Sequence, residues 1–323
     1  MPGITGMGMT FDLPNFVGDL FEVSPEDTPF LSAIGGLTGG RPALDKTFEW
    51  EFYDLRAPNA LRQRLEGANA PDAEERVRSN ADNVLEIHQE AVDISYTKLA
   101  VGATGGYATM ARGTSPVLDE LTWQMDQQLK QVARDVNKGF IVGHYSKPSD
   151  NSSPRRTRGL LDAITTNVTD LAGGILGDED VNDLMQIAYD NGGMQEGETR
   201  TLLGNSSMRR QLTKIFIKDK NLLLTSRNVG GVAVQTIITD FGVCNLMTDR
   251  YMPAGVLVAV SLEVCAPRFL SVPGKGYFFW EPLSKIGASD KSQLYGEIGL
   301  EYGNERKHAK IVNATTAFDS VSS

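Results

Sequence analysis

The sequence predicts an α+β fold of two lobes, with an N-terminal arm, a long β-hairpin and one long helix as a spine. Three observations predict it. Between Lys46 and Lys98, two runs with strand periodicity flank a charged middle that has almost nothing to pack. From Leu118 to Phe140, apolar residues recur at spacings of three and four, the stripe of an amphipathic helix. From Gly159 to about Trp280, short apolar runs alternate with helical segments, as in a compact α/β lobe.

Residues 1–45 are punctuated by glycine and proline and carry isolated apolar groups (Phe11, Phe16, Phe21, Phe30, Leu31, Ile34). They read as an arm that docks through separated side chains, with a weak helix near Asn15–Glu22. In the outgoing run, Thr47–Leu55, Phe48, Trp50 and Phe52 alternate with Glu49 and Glu51, the period of a half-buried strand. The returning run, Val84–Tyr96, alternates likewise. A hairpin of about 20 residues a side reaches roughly 60 Å at about 3.3 Å per residue. An isolated two-stranded hairpin is marginal in water, so its stabilising partner is expected to be another copy of the chain.

Ser115 is an expected N-cap, Pro116 suits the first helical position, and Asp119 and Glu120 complement the macrodipole. The spine helix is therefore placed at residues 115–143, about 42 Å long at about 1.5 Å per residue. Lys147–Arg158, with two prolines, reads as a surface loop. Beyond it, helices are expected at about Asp180–Asn191 and Ser206–Ile217. Strands are expected at Thr201–Leu203, Val232–Ile238, Val243–Thr248 and Gly255–Cys265, the last nearly all apolar and so central. Ser289–Thr315 reads as a pair of strands returning to the first lobe.

Composition removes several function classes. The formal net charge is −10, and such uniform acidity disfavours gripping nucleic acid through phosphate neutralisation. Cys244 and Cys265 lack metal or disulfide-framework spacing and read as buried free thiols. No apolar run approaches the length needed to span a bilayer, so no membrane partner is expected. His88, His144 and His308 are scattered, and there is no phosphate-cradling glycine motif. No cofactor, metal site or catalytic constellation is expected.

The candidate functional residues are contact residues. Arg62, Arg64, Glu66, Glu74, Glu75, Arg76 and Arg78 are expected to make ion pairs between subunits, the alternative being a solvated charged hairpin. Arg155, Arg156 and Arg158 form a basic cluster suited to DNA or to contact between assembled copies, or simply a surface loop.

The order of arm, hairpin, long helix, α/β lobe and returning strands resembles the major capsid proteins of tailed bacteriophages, the Hong Kong 97 fold. Local wording is similar to the branch infecting actinobacteria: Thr28-Pro29-Phe30-Leu31-Ser32-Ala33-Ile34, Phe48-Glu49-Trp50-Glu51, Glu66-Gly67-Ala68, and Tyr295-Gly296-Glu297-Ile298-Gly299-Leu300-Glu301-Tyr302. The resemblance implies an N-arm at 1–45 and an extended loop at 46–100 lying on a neighbouring subunit. It implies a peripheral domain from 101–158 and 284–323, and an axial domain from 159–283. The implied assembly is a homo-oligomer of hexamers and pentamers closing an icosahedral shell around double-stranded DNA, held without sequence-specific binding. Portal, scaffolding or decoration proteins are the implied partners, in a virion capsid assembled in the host bacterial cytoplasm. No lysine lies between Thr47 and Thr97, so crosslinking through a lysine of this loop is not expected. An encapsulin-like compartment holding protein cargo, and an enzyme with a long lid, are the competing readings.

Overall fold

Two almost wholly apolar runs, Leu202–Leu203 and Leu257–Val260, become central strands of a seven-stranded sheet, buried on both faces. The structure is a computed structural model that describes residues 27–53, 58, 61–97, 120–194, 200–219, 225–229, 232–284 and 287–318. In chain order it contains α1 (Pro29–Ile34), β1 (Arg41–Ala43), β2 (Thr47–Tyr53), β3 (Arg78–Val84), β4 (Glu86–Ser95), α2 (Glu120–Val142) and α3 (Leu160–Ala163). There follow β5 (Val168–Asp170), α4 (Asp178–Asp190), β6 (Arg200–Gly204), α5 (Ser206–Thr213), β7 (Thr225–Val229), β8 (Val232–Thr239), β9 (Gly242–Thr248) and β10 (Leu257–Ser261). The last strands are β11 (Ala266–Leu270), β12 (Phe278–Pro282), β13 (Ser289–Glu301) and β14 (Ala309–Val312). The expected helix near Asn15–Glu22 and the expected N-cap Ser115 lie outside the described residues.

The chain divides into two compact units. The larger comprises residues 28–87, 136–277 and 297–323. Its seven-stranded sheet has the order β5-β14-β10-β6-β9-β8-β7. Leu202, Leu246, Leu257, Ala259 and Ile311 point into one core with Val181, Leu184 and Met185 of α4 and Met208 and Leu212 of α5. The alternate residues Leu203, Met247, Val258 and Val260 are equally buried. Helix α4 starts on an acidic turn whose Asp180 carboxylate accepts from the Gly177 N–H at 2.8 Å, and it stops at Gly192, whose φ of 82° favours glycine. At α5, the Asn205 side chain caps the Met208 N–H at 2.9 Å. In the same unit β1 runs parallel to β11, and β11 pairs antiparallel with the end of β13, Phe269 opposite Ile298.

The smaller unit comprises residues 1–27, 88–135 and 278–296. There β12 pairs antiparallel with the start of β13, Trp280 opposite Leu294. Strand β4 also pairs with β13, and Gln89 donates to the Gln293 side chain at 2.7 Å.

Three local expectations are corrected. The strand facing β2 is β3, from within the charged middle, whereas the returning run becomes β4 and pairs with β13. The sequence Arg78-Ser79-Asn80-Ala81-Asp82-Asn83 lacks apolar alternation because its outer rungs are solvated. The alternating run Ser289–Thr315 does give two strands, but they do not return together. Gly303, at φ 64°, breaks it, and β14 crosses to β10 in the larger sheet. Finally, α5 ends at Thr213 and a π-turn takes up Lys214–Asp219.

Candidate assembly surface

The β2–β3 ladder runs from Thr47 opposite Val84 to Tyr53 opposite Arg78. Phe48 is buried with Ala43 and Leu85, and Trp50 packs on the same cluster. The Trp50 ring stacks on Phe48 and meets Tyr302 edge-on at 4.9 Å, and its indole N–H donates to the Gly303 carbonyl at 2.7 Å. The apolar face predicted for Phe48, Trp50 and Phe52 is therefore the side that packs, while Glu49 and Glu51 stay in water. Glycine is required at 299, where a Cβ would stand 2.8 Å from both the Phe48 ring and the Val84 carbonyl oxygen. A side chain there would push the hairpin root off β13.

Asn83 and Asp82 fasten that root. The Asn83 side chain is fully buried. It donates to the carbonyls of Leu300 (2.7 Å) and Arg158 (3.2 Å) and accepts from the Arg158 N–H (2.8 Å). Asp82 faces Glu49 across the ladder, a like-charge pairing that disfavours the strand pair. Its carboxylate is satisfied from elsewhere: the Tyr145 hydroxyl donates at 2.7 Å and Lys147 Nζ lies at 3.4 Å. Those bonds, the tyrosine's foremost, hold the Asp82 carboxyl below the ordinary 3.8 despite partial burial. Burial, and then the Asp82 carboxylate, push the Tyr145 hydroxyl up to about 12. Because the folded value is lowered, the stabilisation is complete above 3.8 and is lost as pH falls through the folded value. Asp82→Asn should cost about 1 kcal/mol at pH 7, and the difference from wild type should close as pH falls below 3.8. Urea titrations of unassembled subunits check this. A gap unchanged in acid would show that the carboxylate is not the group responsible.

Beyond the ladder the chain leaves the core. Every residue from 61 to 80 is exposed. Leu61, Leu65 and Val77 are 91%, 86% and 80% exposed, which no packing within the subunit explains. A turn at Leu65-Glu66-Gly67-Ala68 is closed by the Ala68 N–H on the Leu65 carbonyl at 3.1 Å, with Gly67 at φ 79° in its third position.

The seven predicted contact residues separate into two groups. Glu74 pairs with Arg62 and, at 2.9 Å, with Arg76, while Arg78 pairs diagonally with Glu51 at 2.7 Å. Arg64, Glu66 and Glu75 project into water. The pairs are exposed, and each contributes about 0–1 kcal/mol, so they shape the loop more than they stabilise it. The three exposed apolar side chains were missed from the sequence, although each stands alone among charges, which was a readable signal.

The basic cluster is dispersed by the fold. Arg155 pairs with Glu297 at 3.0 Å, and both side chains are largely buried. Arg158 lies 4.1 Å over the Tyr145 ring and donates to the Tyr302 hydroxyl at 3.0 Å. Arg156 is exposed, its backbone bridging to Ser146. His308 is buried, with one ring nitrogen 2.8 Å from the Tyr302 carbonyl oxygen and the other accepting from the Ser261 N–H. Cys244 and Cys265 are buried thiols, both held up by burial. Among the described residues there is no His, Cys, Asp or Glu group able to hold a metal ion, and no helix long and apolar enough to cross a membrane.

The chain is similar over 96% of its length to the capsid subunit of Cyanophage A-1(L), covering 99% of that chain at a TM-score of 0.67 and 11% identity. A chain of Mycobacterium phage Bobi matches at a TM-score of 0.57 and 14% identity, with 94% and 96% of the two chains covered. The holo-SrpI encapsulin of Synechococcus elongatus PCC 7942 matches at 0.58 and 10% identity, with 95% and 93% covered. These likenesses establish the Hong Kong 97-type fold. No curated protein matches by sequence. The family model described as SU10 major capsid protein matches residues 3–315. This chain thus belongs to the SU10 major capsid protein family and is a shell-forming capsid protein.

Proposed function

We propose that the chain is the repeating unit of an icosahedral virion shell. It forms hexamers and pentamers around double-stranded DNA, which is held without sequence-specific contacts. In this reading residues 1–45 are an N-arm and residues 46–100 carry the extended loop laid on a neighbour. Residues 101–158 and 284–323 supply the peripheral domain. Residues 159–283, joined in their sheet by β14, supply the axial domain. Arg62, Arg64, Glu66, Glu74, Glu75, Arg76 and Arg78 lie along the intersubunit contact, and Arg156 is the member of the basic cluster free to meet a partner. Assembly takes place in the host bacterial cytoplasm with portal, scaffolding or decoration proteins, and no step is catalytic.

The observation that carries this reading is the loop of residues 61–77, exposed throughout and bearing three large apolar side chains. Many weak copies of one contact suffice for a closed shell, because each subunit is held at several places at once. The test is the content of purified particles. Double-stranded DNA that resists nuclease until the shell is opened is expected. Shells that instead enclose a defined protein and no DNA would establish the encapsulin-type alternative.

A further inference from the structure

Helix α5 is firmly held at its start. The Asn205 side chain caps it, and Met208 and Leu212 enter the core. The buried Gln211 side chain donates to the Leu176 carbonyl at 2.7 Å and accepts from the Ala317 N–H at 3.2 Å. Ile215 and Phe216 are still buried in the same core. From Lys214 to Asp219, however, the backbone turns as a π-helix, wider than the α-helix it continues. Such a turn holds an extra residue, is rare, and is frequently found at functional sites.

The chain goes on to β7, the outermost strand of the seven-stranded sheet. Its neighbour β8 is pinned on the other side by β9, where Ile237 stands opposite Cys244, both in the core. The sequence of β7 supplies no such pin. It reads Thr225-Ser226-Arg227-Asn228-Val229, with its one apolar residue at the end and no alternation, and Gly230-Gly231 separates it from β8. Register is weakly specified in a strand that lacks a hydrophobic pattern. A helix end with a residue in reserve therefore feeds an edge strand that is free to slide.

We propose that the π-turn and β7 form a register switch with two settings. When the turn tightens to an α-helix, its extra residue passes into the following chain, and β7 moves by one residue, about 3.3 Å, along β8. This rests on the shell reading, in which one chain must fill both pentamers and hexamers, and the two settings fit the axial domain to the two rings. The core keeps its packing, because the change is confined to the turn and to the free edge of the sheet.

The test combines Ser226→Cys with Gln235→Cys in the full chain, since these residues stand directly opposite each other in the observed register. Both native thiols are buried, so the staple should form cleanly on oxidation, as counted by loss of free thiols in denaturant. Stapled subunits should melt no lower than reduced ones but build only one kind of ring. Open sheets or tubes of hexamers, or small shells of pentamers, are the expected products, and reductant should restore shells of wild-type diameter. Deleting Lys218, which follows the buried Ile215 and Phe216 in sequence and so leaves those anchors in place, should give the same restricted products without oxidant. Shells of wild-type diameter from fully stapled subunits would overturn the switch while leaving the shell reading intact. A staple that fails to form in folded subunits would do the same. Wild-type protein that never forms closed particles would overturn both readings.

Discussion

Replacing residues 58–77 by Asn-Gly yields a subunit that is folded, no less stable than the parent, and unable to build shells. None of the described residues removed is buried: Pro58 and every residue from 61 to 77 are exposed, and the ladder from Thr47 to Tyr53 keeps its partners in β3. The replacement shortens the connection between β2 and β3 from about 24 residues to about 6. Two halvings of loop length return about 1.2 kcal/mol of closure entropy. The melting temperature of unassembled subunits should therefore hold or rise by about 2–4 °C. Assembly should be lost outright, because the variant lacks Leu61, Leu65, Val77 and the ion pairs around Glu74 together. Light scattering after size exclusion, and electron microscopy of negatively stained material, read the result. Normal shells would mean that the subunit's contacts lie elsewhere, and the loop's exposure would need another explanation.

How much of this was legible in the residues depends on where each element's partners lie in the chain. Helix α4 and strand β10 announce themselves, because an acidic first turn, a stop at Gly192 and an unbroken apolar run are local signals. The alternation of Phe48, Trp50 and Phe52 was equally local. Strand β3 was not legible. Its polar residues are held by groups far away in sequence: Asp82 by Tyr145, and Asn83 by Arg158 and by Leu300, 217 positions on. Nor does the alternation of Ala309 and Ile311 say which sheet they join, since pairing with β10 is decided by the whole lobe. In the assembly surface, the exposed loop was readable as a core-poor stretch. Its three exposed apolar side chains, Leu61, Leu65 and Val77, were readable too but were passed over.

Asn83 is where the second large effect is expected, this time on folding. Its amide answers three buried or half-buried backbone groups at once, Leu300 O, Arg158 O and Arg158 N, besides accepting from its neighbour's Val84 N–H at 2.9 Å. Asn83→Ala removes every one of these partners at a fully buried position. Orphaned buried groups cost about 1–3 kcal/mol each, partly relieved by relaxation, so a net loss of about 3 kcal/mol is expected. Asn83→Asp should be at least as damaging near neutral pH, since a carboxylate cannot donate and would face the two carbonyl oxygens. Acidification should restore part of that loss, because a protonated carboxyl regains one donor. This is opposite in direction to Asp82, whose contribution disappears in acid. Urea unfolding should be measured in the loop-shortened background, where assembly cannot stabilise the subunit by mass action. A cost below about 1 kcal/mol would show that the hairpin root is hydrated, and that its hold on β13 comes from Phe48 and Trp50 alone.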